Sequence, residues 1–145
     1  MKGAACLCLL PLMFLGVHDA AAEASVKARD EANDLVLSWQ GDETIEVSVS
    51  KTQGVFKAPF GIKVGERRMS IDGFYIRING LEDGLTVEST RCALQGEGIC
   101  VEHVLRHPRL TAPTRMTVTL WMEPQDRALR ARASPTSAPE RGIGL

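Results

Sequence analysis

The chain has 145 residues, 17 Lys and Arg against 18 Asp and Glu, a formal net charge of −1 and 5% aromatic side chains. That length suits one domain with a modest core. A near-neutral chain so poor in aromatics excludes nucleic acid as a partner, since that role needs a strongly basic face interleaved with stacking rings.

Residues 1–22 read as a secretory signal peptide. Lys2 is the positive n-region, residues 4–17 are the apolar h-region, and Ala20 and Ala22 are the small residues before a cut after Ala22. A cut after Ala24 is equally well formed. The apolar run contains Pro11 and falls short of the ~20 residues that a membrane span needs. A periplasmic or secreted product is therefore expected.

Residues 23–33 (EASVKARDEAN) are polar and alanine-rich, which predicts a frayed helix or a mobile N-terminal arm. A β-domain is expected over residues 34–133. It opens on a short apolar run, residues 34–39 (DLVLSW), and a Gly41-Asp42 turn. Residues 43–50 then alternate, with Ile45, Val47 and Val49 on one face and Glu46, Ser48 and Ser50 on the other, the pattern of a half-buried strand. Residues 55–58 are a further short strand candidate before Pro59. Phe60, Ile62 and Val64 alternate up to Gly65, and Met69 and Ile71 mark a strand over residues 67–72. Asp72-Gly73 signals a hairpin into residues 74–79, where Phe74, Ile76 and Ile78 share a face. Asn79-Gly80 and Asp83-Gly84 are turns, and residues 85–92 alternate again.

Residues 100–106 (CVEHVLR) fit either a strand or a helix, ended by Pro108. Residues 115–123 are the clearest strand, with Met116, Val118, Leu120 and Met122 opposed to Thr117, Thr119 and Trp121. A last strand is expected over residues 127–133, then a turn-rich tail over 134–145. The fold class is all-β: one small sandwich or barrel-like domain of about seven or eight antiparallel strands, with one disulfide.

That disulfide is expected between Cys92 and Cys100, the cysteines left once the leader is removed. The loop it closes is short and would contribute about 2.5 kcal/mol on the chain-entropy argument.

Charge is unevenly placed. Residues 23–104 hold nine Lys and Arg against fourteen Asp and Glu, whereas residues 105–145 hold seven Arg against three acidic residues. Arg115, Arg127, Arg130 and Arg132 form a candidate anion-binding set, suited to weak contact with anionic lipid or glycan. The competing reading of the same arginines is a solvated face that offsets the acidic half.

One cluster invites a catalytic reading. On a helix His103 and His107 would face the same way and bind one metal, with Glu102 or a distant carboxylate as third ligand. A metal-dependent hydrolase is thus one alternative to a binding protein; the other is a structural envelope protein whose arginine-rich C-terminal part rests on anionic lipid or polysaccharide. The order is not HExxH, and the chain contains no GxSxG elbow and no glycine-rich phosphate loop. The expectation is a non-catalytic protein with no cofactor.

Two segments resemble the bacterial invasion-associated locus B family: APFGIKVGERRMSIDG and RCALQGEGICVEHVL. Pro59-Phe60-Gly61-Ile62, Gly65, Ile71-Asp72-Gly73, Cys92, Gly98, Cys100 and Leu105 occupy the places of that family's motif. The likeness runs over residues 58–143. It departs at Ile99, one residue more than the family's spacing, and at Trp39, which has no mature cysteine near it. The resemblance implies a small exported β-domain of Gram-negative bacteria, with some members linked to host-cell invasion. Its implied partner is an unidentified protein or surface of the envelope or host, and it supplies no catalytic residues.

Overall fold

The computed structural model describes residues 23–74, 81 and 84–135. Its nine strands are β1 (Ser25–Asp30), β2 (Asp34–Gln40), β3 (Thr44–Ser50), β4 (Phe60–Val64), β5 (Arg67–Ile71), β6 (Thr86–Gln95), β7 (Gly98–Arg106), β8 (Thr114–Met122) and β9 (Leu129–Pro135). They form two antiparallel sheets, β1-β2-β3-β4-β5 and β6-β7-β8-β9, with every neighbour also next in sequence. Among the described residues there is no helix, and the sheets stay separate instead of closing into a barrel. The all-β sandwich expectation holds in that form.

The two-residue period explains the layering. In the first sheet Leu35, Leu37 and Trp39 of β2 stand opposite Val49, Val47 and Ile45 of β3. In the second, Ile99, Val101 and His103 of β7 stand opposite Leu120, Val118 and Met116 of β8. These inward rows meet in one hydrophobic core, with β2 lying against β6, β7 and β8. Val55, Phe56 and Phe60, from the β3–β4 connection and the start of β4, cover one side of it. Isolated two-stranded pieces are marginal in water, so burial of these rows between the sheets carries the stability.

Four expectations are corrected. Residues 23–33 are not a helix or a loose arm: β1 pairs with β2 from Ser25↔Gln40 to Asp30↔Leu35. Val26 and Ala28 turn inward beside Trp39 and Leu37, leaving Lys27 and Arg29 on the other face. Residues 55–58 form no strand, only a bridge from Phe56 to Phe74. Residues 93–99 are not a disulfide loop, because β6 and β7 run on to a tight hairpin at Gly96-Glu97, with Gly96 at φ +59°.

The fourth correction concerns the cysteines themselves, which are both free. Cys92 is opposite Val101 and Cys100 is opposite Ala93. Directly opposed residues share a face and neighbours along a strand do not, so the two thiols point to opposite sides of the sheet. Cys92 packs against the core and its thiol donates to Ser50 O at 3.7 Å. Burial, with Cys100 nearby, pushes its pKa up, away from the reactive thiolate. The disulfide therefore no longer supports an oxidising compartment. Residues 1–22, the strand expected over 75–79 and the tail from 136 lie outside the described residues.

Candidate anion-binding face

The outer surface of the second sheet gathers most of the chemistry. Period two sends Arg115, Thr117, Thr119 and Trp121 of β8 outward, away from buried Met116, Val118, Leu120 and Met122. Across β9, Thr119 is opposite Arg132 and Trp121 is opposite Arg130. Across β7, Thr117 is opposite Glu102 and Thr119 is opposite Cys100. On β6, Arg91 is opposite Glu102 and Ala93 is opposite Cys100.

Ala93, Cys100, Thr119 and Arg132 thus form one transverse row of small side chains ending in a guanidinium. Beside it an open depression of about 540 Å³ is lined by Gln95, Glu97, Gly98, Thr119, Trp121, Glu123 and Arg132, among others. Trp121 donates from Nε1 to Glu123 Oε1 at 2.9 Å, which fixes the ring's orientation.

Of the four arginines expected to act together, three share this face. Arg115 pairs with Glu102 at 3.4 Å, and Arg130 pairs with Asp126 at 2.5 Å. Arg132 has no ion pair among the described residues. Arg127 does not belong with them. It leaves the β8–β9 turn with φ +55°, stacks 4.9 Å above the Trp39 ring and pairs with Asp42 at 2.8 Å. That guanidinium holds the Asp42 carboxyl below its usual pKa range. Sequence reasoning missed Arg91, Gln95 and Glu97. The last two fell inside the supposed disulfide loop, and only the extended hairpin places them beside Trp121.

The histidine pair is also rearranged. His103 lies on β7, not on a helix, and His107 follows the strand's end. His103 is fully buried. Val55 N–H donates to its Nε2 at 3.3 Å, so the ring proton is on Nδ1, 3.0 Å from Thr90 Oγ1. Both nitrogens are engaged and the ring is neutral; burial pushes its pKa down. Gly54, at φ +63°, permits this contact, because a Cβ there would lie 2.4 Å from His103 Cε1. His107 Nδ1 accepts from Arg109 N–H at 3.0 Å in the β7–β8 turn. The shared helical face on which a metal site depended is absent. Among the described residues no three His, Cys, Asp or Glu side chains gather as a ligand set.

No family model, no curated protein and no solved structure matches the chain.

Proposed function

We propose that this chain is an exported, non-catalytic binding domain. The outer face of β6–β9 engages anionic groups on an envelope or host-cell surface. The observation that carries this reading is the Arg132 guanidinium, without an ion-pair partner among the described residues and set in an open depression. Arg130 and Arg115 stand on the same face but are already matched by Asp126 and Glu102. A guanidinium left free beside a concavity binds carboxylate, sulfate or phosphate through its planar fork. The leader-like residues 1–22 and the likeness to invasion-associated locus B proteins support the compartment and the surface role.

The test is binding of the exported chain to phosphatidylglycerol vesicles and to heparin across a salt series. Binding falls steeply between low and physiological salt, as expected of exposed charges. The Arg115→Ser, Arg130→Ser, Arg132→Ser triple variant loses it. Failure of the exported chain to bind either probe at low salt would reduce the arginines to a solvated face and defeat the proposal.

A further inference from the structure

We infer that the depression beside Trp121 is a subsite for an acidic sugar, a pyranose unit bearing a carboxylate, within a surface polysaccharide. This deepens the binding reading above and rests on it.

The lining is low at Gly98 and Thr119, and the in-register row beside it continues from Thr119 through Cys100 to Ala93. Trp121 rises at one side and Arg132 closes the row. An indole offers a flat apolar surface that matches the C–H face of a pyranose. Its orientation is set in advance by the bond to Glu123, so little ordering is left to binding. Among the described residues no cation is stacked on that ring; the stacked cations are Arg127 over Trp39 and Lys57 over Phe56. Arg130, directly across from Trp121, is turned to Asp126.

The remaining groups select the ligand class. Gln95, Glu97, Glu123 and Thr119 supply acceptors and donors for neutral hydroxyls. The Arg132 guanidinium matches one carboxylate per unit. A lipid surface would favour a protruding apolar cluster here, whereas apart from Met122 and Pro124 the residues lining the depression are small, polar or aromatic.

The experiment titrates the exported chain, at low salt, with hexameric oligogalacturonate, maltohexaose and phosphatidylglycerol vesicles. Binding is read by calorimetry and by the emission of Trp121, with Trp39 sequestered in the core. Oligogalacturonate binds and shifts that emission, and maltohexaose binds far more weakly. Trp121→Ala and Arg132→Ser each lower oligogalacturonate affinity roughly tenfold or more, whereas Trp121→Phe keeps most of it. Vesicle binding is the same for Trp121→Ala as for the unaltered chain, and an unchanged far-UV circular dichroism spectrum shows that this variant is folded. Equal binding of oligogalacturonate by Trp121→Ala, or equal binding of maltohexaose by the unaltered chain, overturns the inference. If vesicles bind and oligogalacturonate does not, the sugar subsite fails alone. If neither binds, the basic-face reading fails with it.

Discussion

Two tryptophans stand on the two sheets, and the chain treats them oppositely. Trp39 of β2 is 3% exposed, and its indole N–H donates to Pro124 O at 2.9 Å, in the turn between β8 and β9. Arg127 from that turn covers its ring. Gly41 leaves room for the ring, since a Cβ there would stand 2.2 Å from Trp39 Cη2. Trp121 points away from the core, and its indole N–H donates to Glu123, two residues on along its own chain. One ring fastens the sheets together; the other is held ready at the surface. The lesson is that neither residue type nor strand position decides the role, but which side of the pleat each ring takes.

The sharpest way to break this contrast is to remove each ring in turn. Trp39→Ala lowers unfolding free energy by about 3–5 kcal/mol, because it deletes a buried aromatic and strands the Pro124 carbonyl. Trp121 is half-buried on the outer face, so for Trp121→Ala the loss is smaller, about 1–2 kcal/mol. Urea denaturation followed by far-UV circular dichroism measures both. Similar losses for the two variants would mean that Trp121 also holds the fold together.

His103 sharpens the comparison from inside the core. Its folded pKa is lowered by burial, so the unfolded chain binds more protons once pH falls below the unfolded value near 6.5. The associated stability is complete above about pH 6.5 and is lost as pH falls from there toward the folded value. The loss approaches about 1.4 kcal/mol per pH unit over that window. His103→Leu is less stable at pH 7 by about 1–3 kcal/mol, because Val55 N–H and Thr90 Oγ1 lose their partner. Its stability is correspondingly flatter between pH 6.5 and 5. Denaturation midpoints at half-unit pH steps decide the matter. An unchanged slope in the variant would place the acid sensitivity elsewhere.

Much of this layering was legible in the alternation of residues 43–50 and 115–123, where apolar and polar positions separate cleanly. β1 was misread although Ala24, Val26 and Ala28 alternate, since small alanines mark a face more faintly than Val or Ile. The cysteine pair misled more deeply. Spacing fixes how long a loop is, whereas a bond between strands depends on register, and here the register differs by one from what pairing needs. That single residue also separates a closed loop from the hairpin that brings Gln95 and Glu97 to Trp121. The arginine set was half legible. Period two puts Arg130 and Arg132 on one face, but Arg127 precedes β9, and its direction follows from a turn conformation that no alternation encodes.

Arg127 gives the smallest effect and the finest distinction. Its guanidinium covers Trp39, yet its backbone at φ +55° is strained for a residue bearing a Cβ. Arg127→Ser keeps the strain and loses the stack, so its melting temperature falls by a few degrees. Arg132→Ser, with no ion pair to lose among the described residues, leaves the melting temperature unchanged while weakening anion binding. Arg127→Gly loses the same stack but adopts the turn's φ without penalty, so it melts above Arg127→Ser. Calorimetric melts of the three variants rank them Arg132→Ser above Arg127→Gly above Arg127→Ser. Were Arg127→Ser to melt with Arg132→Ser and lose anion binding equally, Arg127 would belong to the outer face after all. The division between a fastening ring and a presenting ring would then not extend to the arginines beside them.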